Sequence, residues 1–422
     1  MNIQISPSTL VGTLSAISSK SDAHRTMIAA ALAETPTKIR LNVFSKDMEA
    51  TANCIKAFGC AVKAEQDESG TILTIVPVKT KKPSVTLDCF ESGSTARFLL
   101  PVASVLCDRA TLVGQGRLPE RPFSPLTKVM RLHGCEISSD YLPMTTNGKL
   151  TSGKFEIEGN ISSQYITGLL FALPLLSGDS ELKLLSPLES EGYVEMTIRT
   201  LNRFGIVIQK TDCGYFIKGN QPYLSPGEMT IEGDWSNSAF WICAGAISGE
   251  ISVKGLALDS LQGDKEICSL ISRFGGMIET ENDTVNSKPN SLSAIEIDAA
   301  NIPDLVPILA VVAAVSNGKT VIKNAGRLRM KESDRLMTVC TCLRHIGADI
   351  TETADGLMIN GKKRLSGGTA DSFNDHRIAM SLAIAGTVCE KDVLITNAQA
   401  VEKSYPHFFE DFKKIGGTIR VI

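Results

Sequence analysis

Basic and hydroxyl side chains are concentrated in one short stretch near the start of the sequence. The stretch SSKSDAHR contains Lys20, Ser21, His24 and Arg25 directly before an apolar run. The amino end of a helix carries partial positive charge and unbonded N–H groups, so it favours a bound anion over added cations. The stretch therefore indicates either a helix start that binds an anion or a solvated helix end that tolerates its charges.

Several other polar segments also come directly before apolar, helix-like runs. Each one alone is explained by an ordinary helix cap or by a solvated run of charges. Their recurrence predicts that many helix starts face one anion-attracting cleft between two domains, and that the substrate carries several negative charges. The segments are ESGSTAR at 91–97, GRLPERP at 116–122, SSQY at 162–165, NIPDL at 301–305, MKESDRL at 330–336, NDHR at 374–377 and EKSYPHFF at 402–409.

The composition limits the kinds of partner and ligand. Of 422 residues, 43% are apolar and 21% are charged, and the net charge is −3. This balance gives no general attraction to nucleic acid or to an anionic membrane, and we expect neither as a partner. The 11 cysteines form no C-x-x-C pair and the five histidines have no zinc-like spacing, so we expect no metal site. An odd cysteine count without a secretory leader predicts a cytoplasmic protein.

A repeated unit organises the chain. Six times, an amphipathic helical pattern ends in a glycine that is followed by strand-like residues, and successive glycines lie 69 to 75 residues apart. Glycine suits the left-handed position that ends a helix, so six ordinary helix caps are the alternative explanation. The regular spacing favours six α/β repeats. The glycines are Gly59, Gly134, Gly205, Gly275, Gly347 and Gly416.

Six such units are too many for one core and predict two domains of three repeats each. The turn-rich segment QPYLSPGEM contains the chain crossover, and the predicted domains are 13–225 and 1–12 plus 226–422. We expect one opening strand, over about residues 1–12, to pair with the C-terminal domain, which gives two chain crossings between the domains.

Taken in order, these segments resemble the motifs of the 5-enolpyruvylshikimate-3-phosphate synthase family over the whole chain. The resemblance implies a two-domain inverted α/β barrel-like fold of six βαβαββ repeats, with three repeats in each domain. It implies a transferase of the shikimate pathway, which leads to chorismate and the aromatic amino acids. The enolpyruvyl group of phosphoenolpyruvate passes to the 5-hydroxyl of shikimate 3-phosphate, and phosphate is released through a tetrahedral ketal intermediate. The family uses no metal or organic cofactor, and glyphosate occupies its phosphoenolpyruvate site.

The resemblance also assigns residues to each substrate. Asp304 is the expected base for the hydroxyl, and Glu332 and Lys20 are candidates for the proton transfers at carbon. Tyr193 is expected to border the shikimate 3-phosphate site. The residues expected to hold shikimate 3-phosphate are Lys20, Ser21, Arg25, Ser162, Ser163, Gln164, Ser190, Asp304 and Lys331. Those expected to hold phosphoenolpyruvate are Lys20, Gly93, Arg121, Gln164, Arg335, Arg377 and Lys403.

Three departures from the family pattern bear on phosphoenolpyruvate and glyphosate affinity. Glu91 stands where Asn is usual, Phe98 stands where Pro often follows the arginine, and the usual Pro-Gly before the first motif is absent. Two other functions stay open. One is enolpyruvyl transfer to UDP-N-acetylglucosamine, which Leu118 and Pro119 disfavour because that sister family usually carries a reactive Cys in this loop. The other is a non-catalytic anion-binding relative. We expect a monomer in either case.

Overall fold

The computed structural model describes residues 1–67, 70–77 and 82–422 of the chain. Its α-helices are α1 (Lys20–Leu32), α2 (Lys46–Phe58), α3 (Gly93–Leu106), α4 (Ser124–Leu132), α5 (Ser163–Ala172), α6 (Glu191–Arg203), α7 (Trp235–Ile247), α8 (Ile267–Phe274), α9 (Val306–Ala314), α10 (Arg335–His345), α11 (His376–Thr387) and α12 (Phe408–Lys414). Short 3-10 helices span Leu118–Glu120, Leu173–Leu175, Gly263–Glu266, Pro303–Leu305, Gly326–Met330 and Ala398–Lys403.

The strands are short and form small mixed sheets. They are β1 (Ile3–Ser6), β2 (Gly12–Ser15), β3 (Thr37–Leu41), β4 (Ala61–Asp67), β5 (Gly70–Val76), β6 (Ser84–Asp88), β7 (Arg109–Val113), β8 (Cys135–Ile137), β9 (Met144–Gly148), β10 (Lys154–Ile157), β11 (Ser180–Leu184), β12 (Ile208–Thr211), β13 (Gly214–Ile217), β14 (Glu228–Thr230), β15 (Ile251–Lys254), β16 (Met277–Glu281), β17 (Thr284–Lys288), β18 (Glu296–Asp298), β19 (Lys319–Lys323), β20 (Asp349–Glu352), β21 (Leu357–Asn360), β22 (Gly368–Asp371), β23 (Val393–Thr396) and β24 (Thr418–Val421).

Each sheet has four strands in the arrangement of one βαβαββ repeat, and three of the six sheets take one strand from a distant part of the chain. In the third repeat, β10 and β11 are parallel and are joined through α5, because parallel neighbours need a crossover connection. Helix α6 then leads to the antiparallel pair β12 and β13, and β13 lies against β11. The other repeats have the same strand order, so the predicted fold class of six βαβαββ repeats is confirmed.

Three strands complete sheets that are distant from them in sequence. Strand β2 leads into α1 but pairs in parallel with β15, whereas β14 leads into α7 but pairs in parallel with β3. Strand β1 pairs antiparallel with both β23 and β24, so the opening segment pairs with the C-terminal part of the chain, as predicted. The prediction of one opening strand is wrong, because Pro7 has no N–H with which to continue the ladder after β1.

The chain divides into two compact units. Unit 1 contains Met1–Ile17 and Glu232–Ile422, and unit 2 contains Ser18–Ile231. The predicted boundaries, after residues 12 and 225, would separate β2 and β14 from the sheets that they complete. The exchange of these two strands therefore places each boundary a few residues further along the chain than the turn residues suggested.

The two helices of each repeat differ in their burial. The helix after the first strand is buried on nearly all sides, as in α9, where every residue from Val306 to Ala314 is buried. The second helix is amphipathic, as in α8, where Ile267, Leu270, Ile271 and Phe274 form the predicted buried face. Among the described residues, no helix has the length and apolar character that crossing a membrane requires.

The predicted helix-ending glycines are confirmed. All six repeat glycines have φ between 78° and 111°, in the left-handed region that side chains with a Cβ atom avoid. Gly59 is representative, since its N–H donates to the carbonyl oxygens of Ile55 and Lys56 at the end of α2. The regular spacing of these glycines along the sequence thus reflects a real structural repeat.

Helices α3 and α5 of unit 2 pack at very short distance. A Cβ atom on Gly168 of α5 would lie 2.3 Å from the carbonyl oxygen of Arg97 in α3. The backbone of α3 cannot move aside as a flexible side chain can, so only glycine fits at residue 168, where α5 crosses α3. The starts of these two helices carry Gly93 and Gln164, and Gly168 therefore helps to set the distance between two predicted ligand-binding residues.

We expect Gly168→Ala to lower the free energy of unfolding by about 1–3 kcal/mol, because α3 and α5 must separate. Gly326→Ala is the matched control, since a Cβ atom there would meet nothing within 4 Å. Thermal unfolding of both purified variants measures the difference. Equal melting temperatures for the two variants would contradict the assigned contact.

Candidate active site

Arg25 is the most strongly held cation at the start of α1 in unit 2. Its guanidinium donates to the backbone oxygens of Ser21 at 2.6 Å and Tyr193 at 3.0 Å, and to Thr197 Oγ1 at 2.8 Å. The guanidinium also lies 5.1 Å from the centre of the Phe98 ring. Burial lowers the pKa of Arg25 to about 10, so the side chain remains charged at neutral pH.

Lys20, the first residue of α1, is also paired. Its ammonium group donates to Asp47 Oδ2 at 2.8 Å, and Ser19 caps the helix by accepting from the N–H of Asp22. The carboxylate neutralises a cation that would otherwise face the positive helix end. The stretch is therefore a built, largely buried arrangement, and the interpretation as a solvated helix end is wrong.

The starts of α3 and α5 bring a second group of predicted residues together. Arg97 donates to Gln164 Oε1 at 2.7 Å, and Gln164 Nε2 donates to Ser94 Oγ at 2.9 Å. A Cβ atom on Gly93 would lie 2.7 Å from a terminal nitrogen of Arg97 and 3.0 Å from one of Arg121. Glycine at this position thus lets two guanidinium groups approach the helix start, where they favour an anion.

The remaining hydroxyl residues of unit 2 occupy helix starts. Ser162 caps α5 by accepting from the N–H of Gln164, and Ser163 is the first residue of that helix. Ser190 precedes α6 with a left-handed backbone, and its carbonyl oxygen accepts from the N–H of Tyr193 at 3.1 Å. The backbone oxygen of Tyr193 also accepts from the Arg25 guanidinium, so Ser190 lies close to Arg25.

Asp304 is the centre of the site residues in unit 1. Its carboxylate lies 2.7 Å from Arg335, 3.3 Å from Lys331 and 3.7 Å from Arg377. The backbone oxygen of Asp304 also accepts from Arg377 at 3.0 Å. Burial alone would raise the pKa of Asp304, but Lys331, Arg377 and Arg335 together hold it well below its usual value. Asp304 is therefore ionised in the free protein.

Arg335, only 1% exposed, binds three carboxylates. Besides Asp304, its guanidinium contacts Asp375 at 2.8 Å and Glu332 at 2.7 Å. Asp375 additionally accepts from Ser333 at 2.9 Å and from the N–H of Arg377, the second residue of α11. The segments around residues 304, 332 and 375 thus converge on one buried guanidinium, and MKESDRL is not a solvated run of charges.

Lys403 belongs to the same part of unit 1. It is buried, and its ammonium group donates to the backbone oxygen of Asn374 at 2.6 Å, one residue before Asp375. The structure therefore brings Asp304, Lys331, Glu332, Arg335 and Arg377 into direct contact and places Lys403 beside them. Among the described residues, no group of three or more His, Cys, Asp or Glu side chains is placed to hold a metal ion.

Sequence reasoning did not assign several residues of these groups. Arg97 lies in the ESGSTAR motif, but its sequence position assigns it no role. The structure shows that its guanidinium donates to Gln164, 67 residues further along the chain. Asp47 and Asp375 are the acidic partners of Lys20 and Arg335. The sequence does carry a signal for Asp375, because this residue lies at the start of an apolar helix, two residues before the predicted ligand-binding Arg377. It carries no such signal for Asp47.

Asp264 is a further carboxylate that sequence reasoning missed. It is fully buried in the 3-10 helix directly before α8 and accepts a hydrogen bond from Ser236 at the start of α7. Burial and the charge of Asp304 raise its pKa to about 6, although Arg377 opposes this rise. Asp264 therefore lies within electrostatic range of the Asp304 group and is ionised only at the cost of burying a charge.

Comparison with known families decides the relationship of this chain. The family model described as "EPSP synthase (3-phosphoshikimate 1-carboxyvinyltransferase)" matches residues 5–412. The chain belongs to the EPSP synthase family. A 3-phosphoshikimate 1-carboxyvinyltransferase of Clostridium novyi (strain NT) is 44% identical over 427 aligned residues, which cover 99% of this chain and 98% of the relative.

Solved structures agree with this membership of the EPSP synthase family. An EPSP synthase from Acinetobacter baumannii is similar with a TM-score of 0.81 and 25% identity, covering 99% of each chain. The enolpyruvyl transferase NikO from Streptomyces tendae has a TM-score of 0.80 with 18% identity, covering 99% of this chain and 98% of that one. The second likeness concerns the fold alone, so fold does not choose among enolpyruvyl acceptors.

Asp264→Asn tests the buried carboxylate of this EPSP synthase family member. Because the pKa is higher in the folded than in the unfolded chain, wild-type stability falls as pH rises from about 4 to about 6. Asn keeps an acceptor for Ser236 and cannot ionise. We expect its free energy of unfolding, relative to that of wild type, to increase by about 2 kcal/mol between pH 4.5 and 7.5, which means that the variant becomes relatively more stable.

Denaturant unfolding at the two pH values measures this change. Asp259→Asn, which alters an exposed carboxylate of the same unit, is the control and is expected to show no such difference. If the stability of Asp264→Asn relative to wild type is the same at both pH values, Asp264 does not carry a buried charge.

Proposed function

We propose that this chain uses the residues described above to perform the reaction after which its family is named. The enolpyruvyl group of phosphoenolpyruvate is transferred to the 5-hydroxyl of shikimate 3-phosphate, and inorganic phosphate is released. The observation that carries this proposal is the full-length family match, together with Asp304 held among three cations. Both substrates are anions rich in phosphate and carboxylate oxygens, which suit arginine and lysine donors.

Shikimate 3-phosphate is proposed to bind mainly through the helix starts of unit 2. The hydroxyl groups of Ser21, Ser162, Ser163 and Ser190 supply neutral donors, and Arg25 supplies charge. Helix starts add backbone N–H groups directed at the phosphate. Gln164, Lys20, Lys331 and Asp304 complete the proposed set, with Tyr193 at its edge.

Phosphoenolpyruvate is proposed to bind mainly through arginine and lysine side chains. Arg335 and Arg377 pair with carboxylates in the free protein, so a bound phosphate or carboxylate adds a further anion to guanidinium groups that already lie in place. Gly93 leaves room for the ligand beside Arg121. Lys20, Gln164 and Lys403 complete the proposed set.

The proposed chemistry begins at the 5-hydroxyl. Asp304 accepts the hydroxyl proton while the oxygen bonds to C2 of phosphoenolpyruvate, and Glu332 or Lys20 donates a proton to the methylene carbon C3. The tetrahedral ketal then loses phosphate as a proton leaves the methyl carbon, which restores the enol ether. When an anion binds to Arg335 and Arg377, it weakens their hold on Asp304 and raises the pKa of this carboxylate, which makes it a stronger base.

Two alternative functions are tested by the same assay. UDP-N-acetylglucosamine is the alternative acceptor that the sequence leaves open, and a non-catalytic anion-binding relative would turn over neither acceptor. Monomeric state, cytoplasmic location and independence of any metal or organic cofactor remain predictions from the sequence.

We expect phosphate release from phosphoenolpyruvate to require shikimate 3-phosphate and to weaken at high salt, because the bound groups are charged. Continuous detection of phosphate, with either acceptor present, measures this directly. Release that depends on UDP-N-acetylglucosamine would move the chain to the sister activity. The absence of release with both acceptors would favour the non-catalytic relative.

Asp304→Ala is expected to lower kcat by about a thousandfold. The variant stays folded because Asp375 and Glu332 still neutralise Arg335. Asp259→Ala, at an exposed carboxylate of unit 1, is the control and is expected to keep the wild-type rate. Steady-state kinetics with both substrates make the comparison, and a near-normal kcat for Asp304→Ala would remove this residue from its role as base.

A further inference from the structure

A continuous chain of buried hydrogen bonds joins three helices of unit 2. His24 Nδ1 of α1 lies 2.7 Å from Thr51 Oγ1 of α2, which lies 2.6 Å from Thr95 Oγ1 of α3. Thr95 Oγ1 donates to Ser92 Oγ, the cap of α3, at 2.8 Å. None of the four residues is more than 1% exposed, so no competing water reaches them from the surface.

The direction of these hydrogen bonds follows from the number of protons. Each hydroxyl has one proton, and Thr95 gives its proton to Ser92. Thr51 must therefore donate to Thr95, which leaves His24 Nδ1–H as the donor to Thr51. The ring is uncharged, because burial and then Lys20 and Arg25 hold the pKa of His24 well below its usual value. We call these four residues the His24–Ser92 chain.

The other ring nitrogen of His24 contributes nothing comparable. Nε2 is buried and has no hydrogen-bond partner within 1–67, 70–77 and 82–422. The ring therefore makes its hydrogen bond through Nδ1. The amide nitrogen of an asparagine would lie near the position of Nδ1, whereas that of a glutamine would lie near the position of Nε2.

A second set of buried hydrogen bonds serves a different group of residues. Arg25 Nε donates to Thr197 Oγ1 at 2.8 Å, and Thr197 Oγ1 donates to the backbone oxygen of Tyr193 at 3.0 Å. Thr167 of α5 lies 2.9 Å from the same hydroxyl. This set orders the residues assigned to shikimate 3-phosphate, whereas the His24–Ser92 chain ends beside Gly93, which is assigned to phosphoenolpyruvate.

We propose that His24, Thr51 and Thr95 are positioning residues that fix the start of α3 against α1 and so set the affinity for phosphoenolpyruvate. The inference rests on the proposed function for the identity of the ligand. Ser92 Oγ accepts from both the N–H and the hydroxyl of Thr95, so the hydroxyl hydrogen bond helps to hold the cap of α3 in place beside Gly93 and its neighbouring guanidinium groups. None of the three positioning residues needs to touch a substrate.

The test is a comparison of KM for the two substrates across matched variants. Thr51→Val keeps the side-chain shape and breaks the His24–Ser92 chain, and we expect KM for phosphoenolpyruvate to rise about tenfold with little change for shikimate 3-phosphate. Thr197→Val is the reciprocal variant, and it raises KM chiefly for shikimate 3-phosphate. Thr26→Val is the control, since the buried Thr26 hydroxyl has no hydrogen-bond partner among the described residues.

The His24 variants keep the inference testable if Thr51→Val does not fold. We expect His24→Asn to resemble wild type and His24→Gln to show the selective rise in KM for phosphoenolpyruvate. Equal effects of these two variants would overturn the inference. So would a Thr51→Val variant with unchanged KM values, or with equal increases for both substrates.

Hydrogen exchange separates this inference from the proposed function. Faster amide exchange at residues 93–96 in Thr51→Val than in Thr26→Val is expected whether or not the wild-type protein has the proposed activity. An inactive wild type would refute the proposed function alone. Unchanged exchange at these amides in Thr51→Val would refute the positioning role.

Discussion

The buried guanidinium of Arg335 is the constraint on which unit 1 depends. A charge removed from water is stable only when oppositely charged and hydrogen-bonding groups surround it, and three carboxylates do so here. They come from segments around residues 304, 332 and 375, which begin α9, α10 and α11 or lie directly before them. Folding must therefore bring these segments together, and Asp304 takes its place beside Lys331 and Arg377 as a consequence.

Unit 2 meets the same requirement with more hydroxyl groups. Lys20 pairs with the carboxylate of Asp47, whereas Arg25 donates to two backbone oxygens and Thr197, and Arg97 donates to the amide oxygen of Gln164. Neutral partners hold a cation in position without cancelling its charge, so these guanidinium groups keep their attraction for an anion. In unit 1 the carboxylate partners lower this attraction, and the cations Lys331, Arg377 and Arg335 in turn keep Asp304 ionised. The difference in partners suits a unit that mainly binds substrate and a unit that also carries the proposed base.

The sequence contained enough information for the repeats and for the location of polar residues at helix starts. Glycine at the end of an amphipathic helix is a local signal, and each repeat glycine has the expected backbone. Strand exchange was not predictable in this way, because β2 and β14 find their partners far away in the chain. The same limit applies to ion pairs. The charged residues near 304, 332 and 375 are visible in the sequence, but their convergence on Arg335 is not, because Asp304 and Asp375 lie 31 and 40 residues away from it in the chain. Buried neutral networks such as His24, Thr51 and Thr95 leave no pattern in sequence at all.

The cations at these helix starts are proposed to bind the anionic groups of both substrates. A crystal structure of the Asp304→Ala variant with both substrates bound tests this most directly, since the slowed reaction leaves them intact. We expect phosphoenolpyruvate oxygens within about 3 Å of the Arg335 and Arg377 guanidinium groups, and the phosphate of shikimate 3-phosphate within about 3 Å of the Ser162 or Ser163 hydroxyl. Substrates bound elsewhere, with these side chains still paired only to protein groups, would contradict it.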